Sequence, residues 1–155
     1  YGEPSSVGKW GWRVEGHHLT LNWTLDQGRV VSVSPAGFGI SPFTNANGDP
    51  QVLGEDQQAY LDFLSTLDGD SRTKAKRDGT VPGEVPGVGA PRPKPPERVG
   101  VQLSSLSEAS QAAAWRVLDT VYDHLDPEWA WTRRAAARAA ADDIFFSWSI
   151  YFFIK

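Results

Sequence analysis

The sequence predicts an α/β protein of the α+β type, with an N-terminal antiparallel β-hairpin, three helices, a long Pro/Gly-rich loop and a C-terminal strand. Two observations support this fold class. Between Lys9 and Leu25 large apolar residues alternate with polar ones, which is the period of a half-buried strand. From Tyr60 to Leu67, and again from Leu118 to Leu125, apolar residues recur at every third or fourth position, which is the period of an amphipathic helix.

The predicted first strand contains one irregularity. Its large apolar residues fall on even numbers from Trp10 to Val14 and on odd numbers from Leu19 to Leu25. A straight strand cannot keep both halves on one face, because a slip of one residue turns every side chain over. We therefore predict a β-bulge at Gly16-His17-His18, where the glycine tolerates a positive φ.

The next segment predicts a hairpin and a long loop. Asp26-Gln27-Gly28 has the composition of a three-residue hairpin loop with glycine in the left-handed conformation. Arg29 to Ser34 then forms the partner strand. Pro35 to Gly54 is rich in Pro, Gly and Asn, which indicates an ordered loop beside the hairpin. A loop of this length is either functional or a simple connector.

Three helices are predicted in the second part of the chain. The first spans Glu55 to Leu67. The second opens at a capping box over Ser105 to Glu108 and ends near His124. The third begins at Asp126-Pro127, an N-cap followed by proline at the first helical position, and ends near Ala141. The residues expected to face the core are Tyr60, Phe63, Leu64 and Leu67 in the first helix and Leu118, Val121, Tyr122 and Leu125 in the second.

The remaining segments are predicted to be irregular or strand-like. Residues 79–100 are Pro/Gly-rich without a periodic pattern, which indicates an extended loop. Ile144 to Lys155 alternates but is apolar on both faces, so we expect either a central strand or a strand that further chain covers. Arg134 and Arg138 share a helix face that is either solvated or able to clamp a carboxylate or phosphate. His124 is expected to be exposed and structural.

Composition and charge restrict the possible partners. The chain has 155 residues, a net charge of −4 and no Cys, so thiolate metal sites and cysteine nucleophiles are excluded. Without a basic patch or a long apolar span we expect no nucleic-acid and no membrane partner. The chain begins with Tyr and contains no Met. We therefore expect residues 1–155 to be a single, incomplete domain whose partners include the N- and C-terminal parts of the same protein, with its localisation undetermined.

Two adjacent histidines, His17 and His18, are the leading candidates for chemistry. Imidazoles bind divalent, copper or iron ions and act as general bases. Glu15 and Asn22 would orient them, since His18 shares a strand face with Asn22. Two histidines supply at most two of the ligands that a metal site needs. In the alternative interpretation, one histidine is a hydrogen-bonded structural residue and the other is exposed to solvent.

A second hypothesis involves the tryptophans. Exposed together, Trp10, Trp12, Trp23 and Trp129 would form a flat aromatic platform for a sugar or another small-molecule ligand. Alternating tryptophans in a strand are, however, also typical of a protein core. The third interpretation is a structural domain without catalytic activity.

The tryptophan-rich segment carries a family resemblance. The segment contains Trp10-Gly11-Trp12-Arg13, followed by Gly16-His17-His18-Leu19-Thr20-Leu21-Asn22. This pattern resembles the tryptophan-rich strand and Gly-His-His motif of the domain of unknown function 3500 family (DUF3500). Two other segments also resemble the family: the loop with Phe38 and Gly39, and the later Phe146-Ser147-Trp148. The resemblance covers most of the chain and implies no activity. Since family members are longer at both ends, it implies that further partners of the two histidines lie outside this chain.

Overall fold

The computed structural model describes residues 1–34, 36–50, 52–77 and 97–149. The chain divides into two compact units, Tyr1–Gly54 and Glu55–Lys155. The described part of the first unit consists of antiparallel strands and loops, and that of the second unit is mainly helical. Strands and helices occur together, and the predicted α+β class is confirmed.

The first unit is built on one antiparallel sheet in which the second strand is central. The first strand lies along one edge of the second, and the third and fourth strands pair with its other edge at opposite ends. The strands are β1 (Lys9–Gly16), β2 (Leu19–Asp26), β3 (Arg29–Ser32) and β4 (Ala36–Phe38).

The two histidines form the turn between β1 and β2, and the predicted bulge at this position is wrong. Trp12 lies opposite Trp23 and Gly16 lies opposite Leu19, which leaves His17 and His18 as a two-residue connection. Such a connection pairs even-numbered residues of β1 with odd-numbered residues of β2. The change from even to odd numbers in the sequence therefore results from the register of a hairpin. Both strands keep their apolar residues on the same face of the sheet.

The turn between β2 and β3 is one residue shorter than predicted. Asp26 pairs with Arg29, so the connection consists of Gln27 and Gly28 alone. Both have positive φ, 51° and 74°, as a type I′ hairpin turn requires. The left-handed conformation of the glycine and the antiparallel hairpin are confirmed, whereas β3 ends at Ser32 rather than Ser34.

Strand β4 lies within the segment that the sequence predicted to be a loop. It pairs Ala36 with Leu21 and Phe38 with Leu19, beside the histidine turn. Three residues between turn-forming neighbours are too few to produce a periodic pattern. The pairing with β2, rather than local sequence preference, makes this segment a strand.

The described part of the second unit contains four helices and two short strands. Helix α2 was not predicted, so the number of helices is four rather than three in the part of the chain that the structure describes. The elements are α1 (Gly54–Thr66), α2 (Gly69–Ala75), β5 (Val101–Gln102), α3 (Glu108–Asp123), α4 (Pro127–Ala139) and β6 (Phe145–Phe146), with short 3-10 turns at Leu103–Ser105 and Ala141–Asp143.

Side-chain caps define three of the helix starts. The Asp68 carboxylate accepts the Ser71 amide of α2 at 2.7 Å, and Asp126 caps α4 as predicted. The Ser107 hydroxyl accepts the Ser110 amide of α3 at 3.2 Å. The capping box predicted to begin at Ser105 is therefore wrong by two residues, because Ser105 ends the preceding 3-10 turn.

The core of the second unit is centred on Phe63, whose ring meets that of Phe146 edge to face at 4.6 Å. The predicted core positions Phe63 and Leu67 are confirmed, and Leu64 packs beside them. Tyr60 and Val121 are instead about two-fifths exposed. The buried residues of α3 are Ser110, Ala114 and Val117. The buried cluster comprises Ala59, Phe63, Leu67, Ala75, Val101, Leu103, Leu106, Ala114 and Val117.

The described part of the predicted C-terminal strand pairs with two segments. Phe146 pairs with Val101 of β5. Further along, the Trp148 amide donates to Ala75 O at 2.9 Å and Trp148 O accepts from the Arg77 amide at 2.8 Å. A strand is thus present near Phe146, and the choice between a central strand and a strand covered by further chain stays a prediction. Residues 150–155 of this strand and 79–96 of the predicted loop lie outside the described residues.

Candidate functional site

The histidine turn lies at the tip of the β1–β2 hairpin. Both His17 and His18 are exposed. Their ring centroids are 4.3 Å apart and the ring planes are inclined by 60°. The pairing of Gly16 with Leu19 closes the strands directly beneath them. The short turn therefore holds two imidazoles side by side at the surface.

Strand β4 positions one of the two imidazoles. The Gly39 amide, directly after β4, donates to the His18 carbonyl at 2.8 Å. A Cβ atom at Gly39 would lie 3.1 Å from His18 Nδ1 and 3.7 Å from Cγ. A side chain at this position would require the His18 ring to move by a few tenths of an ångström. The contact joins two segments that the sequence alone did not bring together.

Glu15 and Asn22, which the sequence suggests as orienting groups, lie on the polar face of the hairpin. Glu15 Oε1 is 3.2 Å from Arg13 Nη1, and Asn22 lies opposite Arg13 in the strand register. Glu15 is two residues from the turn along β1, and Asn22 is further along β2. Their predicted role beside the histidines remains a prediction.

The histidine pair supplies two potential metal ligands. Within residues 1–34, 36–50, 52–77 and 97–149, no three His, Cys, Asp or Glu side chains cluster closely enough to hold a metal ion. Any ion bound at the turn would therefore complete its coordination with water or another ligand. Such open positions are what a catalytic metal requires, whereas a structural site is closed by protein ligands.

The apolar face of the hairpin presents a tryptophan pair. Trp12 and Trp23 stack with ring centroids 4.0 Å apart and planes within 13°. Trp12 is 44% exposed and the neighbouring Val14 is 43% exposed. Trp10 is half-buried and donates its indole N–H to Ser5 O at 2.8 Å. Of the predicted platform, two rings thus form one stacked surface.

The fourth predicted platform residue, Trp129, belongs to the second unit. There the Arg133 guanidinium lies 5.9 Å from the centre of its indole ring. This distance fits a cation–π contact. The structure accordingly assigns Trp129 a local partner on its own helix.

The two arginines of α4 contact α3. Arg134 Nε donates to Asp119 Oδ1 at 2.9 Å and its Nη2 donates to Asp123. The hydrogen bond to Asp123 raises the pKa of Arg134 above its ordinary value most strongly, and the bond to Asp119 raises it further. The Arg138 guanidinium lies 4.0 Å from the centre of the Trp115 ring. The carboxylates clamped by Arg134 belong to the chain itself, so this pair of helices is held by charge as well as by packing.

The third histidine also has a carboxylate partner. His124 Nε2 lies 2.9 Å from Asp56 Oδ1, and their side chains are 29% and 15% exposed. The contact joins the C-cap of α3 to the first turn of α1. The residue is exposed, as the sequence predicted, but its carboxylate partner was not predicted. Its partner is 68 positions away, and no local pattern indicates such a contact.

Comparison with known proteins identifies one family. The family model described as "Protein of unknown function (DUF3500)" matches residues 1–152. No curated protein and no solved structure matches the chain. Among the helices of the described residues, none is long and apolar enough to cross a membrane.

Proposed function

The chain belongs to the DUF3500 family, whose description names no function. From the geometry of the hairpin tip, we propose that His17 and His18 bind a divalent transition-metal ion. The observation that supports this proposal most directly is the 4.3 Å separation of the two imidazole rings. Imidazole nitrogen is a common ligand of zinc, copper, iron and nickel.

The turn restricts both imidazoles before any ion binds. The two-residue connection leaves His17 and His18 little freedom in the backbone, and the Gly39 amide anchors the His18 carbonyl. A site that is formed in advance loses less conformational entropy on binding. Small rotations of the exposed side chains would bring one nitrogen of each ring to a common ion.

The two histidines would leave the remaining coordination positions open. A water molecule bound there would have a lowered pKa and would serve as a nucleophile, or a substrate oxygen would be polarised by the ion. Glu15 is the nearest carboxylate along β1 and would orient the site from outside, with Asn22 further down the polar face. The catalytic part of this proposal therefore assigns His17 and His18 as ligands of an open metal site.

Metal titration tests the proposal. Protein stripped with a chelator is titrated with Zn²⁺ and with Cu²⁺ by isothermal calorimetry, and the metal content of protein purified without added metal is measured by elemental analysis. We expect one ion per chain, lost in the double variant His17→Ala/His18→Ala. The matched control is His124→Ala, which removes the remaining histidine and leaves the turn intact.

Circular dichroism of the same variants separates binding from folding. A folded double variant that binds metal as the unchanged protein does would contradict the proposal. If His18→Ala alone unfolds the sheet, His17→Ala becomes the informative variant, because Gly39 contacts His18. Equal binding by folded His17→Ala and by the unchanged protein would also contradict a two-histidine site. Unfolding of both single variants would support the structural interpretation.

A second candidate function is ligand binding at the tryptophan pair. The stacked Trp12 and Trp23 rings and the exposed Val14 present an aromatic surface on one face of the hairpin. Sugars and small planar ligands bind such surfaces through their apolar faces. Trp12→Ala should abolish a ligand-dependent change in tryptophan fluorescence, whereas Trp131→Ala, at an exposed position on α4, should preserve it. An unchanged response in Trp12→Ala would exclude this face.

A further inference from the structure

The second unit contains a cavity that the histidine site does not involve. Its volume is about 550 Å³, which lies within the range of small-molecule pockets. One wall is apolar and consists of Val99, Ile144 and Phe145. The rest of the lining is charged or polar, a composition that suits a ligand with one apolar part and one charged part.

Two of the charged residues of the cavity neutralise each other. Arg98 Nη2 lies 2.6 Å from Asp143 Oδ1, and both residues line the cavity. This ion pair joins the segment that precedes β5 to the 3-10 turn before β6. It forms part of the wall and contributes little net charge to the space inside.

The other two charged residues, Arg77 and Glu97, are available to a ligand. In the part of the chain that the structure describes, neither side chain forms an ion pair or a hydrogen bond. They are also not paired with each other, although both line the same cavity. Among the described residues that line the cavity, one cation and one anion are therefore unpaired, and the other two charges form an ion pair.

The backbone around these residues is held in place. The Arg77 amide donates to Trp148 O at 2.8 Å, and the Val99 amide donates to Glu97 O at 3.0 Å. Phe145 belongs to β6, which pairs with β5. The Arg77 backbone is thus joined to Trp148, and Glu97 begins a local turn that leads into β5, while the long side chains of both residues can adjust to a ligand.

We propose that this cavity binds a small zwitterion with an apolar body, which is the chemistry of an apolar α-amino acid. Arg77 would hold the carboxylate through a bidentate pair of hydrogen bonds. Glu97 would accept from the ammonium group, and the apolar body would lie against Val99 and Phe145. A ligand with a carboxylate alone would leave Glu97 unpaired, and an amine alone would leave Arg77 unpaired.

The probe is L-leucine, titrated into the ¹⁵N-labelled protein and followed by amide chemical shifts. We expect saturable shifts at Arg77, Val99 and Ser147, with a dissociation constant of roughly 1–10 mM for so small a ligand. The single-charge analogues 4-methylpentanoate and 3-methylbutylamine should each bind about tenfold more weakly or worse.

Variants identify the two ends of the ligand. Arg77→Gln and Glu97→Gln should each weaken leucine binding about tenfold or more, and Arg72→Gln, an exposed substitution on α2 outside the cavity, should leave it unchanged. No saturable shift with leucine would overturn the proposal. Binding of leucine by both variants at the original strength, or equally strong binding of 4-methylpentanoate, would do the same.

Discussion

Gly100 packs against the carbonyl group of Phe146, so closely that a Cβ atom at Gly100 would overlap the carbonyl oxygen. The residue also has a φ of +97°, a conformation that side chains other than glycine rarely adopt. Its position just before β5 lets the chain enter the pairing of Val101 with Phe146. This contact therefore determines how the two short strands of the second unit meet.

We predict that Gly100→Ala lowers the free energy of unfolding by roughly 3 kcal/mol, because both the backbone conformation and the space are incompatible with a methyl group. Urea denaturation followed by circular dichroism measures the change. The matched control is Gly69→Ala at the start of α2, where a Cβ would meet nothing within 4 Å. That variant should be neutral or slightly stabilising, and equal losses in the two variants would contradict the prediction.

The stacked tryptophans predict a difference in stability between two exposed indoles. Trp12→Ala should reduce the free energy of unfolding by about 2 kcal/mol, because it removes a cross-strand stack and about half of a buried indole. Trp131→Ala removes an indole that is 72% exposed and should change it by less than about 0.5 kcal/mol. Chemical denaturation of both variants tests this. A loss of equal size in Trp131→Ala would show that the stack carries no particular energy.

Gly39 provides a test of the proposed metal site that changes no ligand. Gly39→Ala places a methyl group 3.1 Å from His18 Nδ1 and should displace the ring by a few tenths of an ångström. We expect the affinity for Zn²⁺ to fall about tenfold, as substitutions beside metal ligands commonly cause. The thermal midpoint should hardly change. Gly37→Ala, where the added atom has an ordinary 3.4 Å contact with Thr20, is the control. Unchanged affinity in Gly39→Ala would argue against an ordered His18 ligand.

The cap of α2 predicts a pH dependence. The Asp68 carboxylate accepts a hydrogen bond from the Ser71 amide. This bond is the largest of the causes that lower the pKa of Asp68 below its ordinary value of 3.8. A depressed pKa in the folded state means that the stabilisation is fully present above pH 3.8 and is lost as the pH falls through the lower folded value. Asp68→Asn keeps an acceptor for the cap.

Thermal unfolding between pH 2 and pH 5 tests the Asp68 contribution as a difference between two proteins. We expect the unchanged protein to lose stability more steeply on acidification than Asp68→Asn does, and Asp68→Ala to be less stable than both at neutral pH. Parallel pH profiles for the unchanged protein and Asp68→Asn would show that this carboxylate contributes nothing to the acid sensitivity.

The sequence prediction of the fold succeeded where periodicity was long and failed where partners were distant. Helix α1 was identified from its repeated apolar spacing, whereas the seven-residue helix α2 offers too few turns for such a pattern. The core face of α3 was misjudged because Ala114 and Ser110 are buried in place of larger residues. Hydrophobicity could not reveal that, since the Ser110 hydroxyl is buried by its hydrogen bond to Thr66 O, 44 positions away.

The candidate site was only half predictable. His17 and His18 were identified from their identity and adjacency. Their geometry was misassigned to a bulge, because a bulge and a two-residue turn produce the same change of parity in a single strand pattern. Gly39 was noted only as part of the family resemblance, and Arg77 and Glu97 carried no signal, since the contacts of all three involve segments that are remote in the chain.

By itself, the sequence determined the α+β class, the apolar face of the hairpin, the amphipathic helices and the presence of an adjacent histidine pair. These properties depend on the spacing of residues that are close together in the chain, so the sequence alone is enough to predict them. Only the tertiary structure decided that the histidines form a turn, that β4 places Gly39 against His18, and that Arg77 and Glu97 line one cavity without partners among the described residues. Those features depend on strand register and on which distant segments pack together, and their energies come from contacts that no local pattern contains.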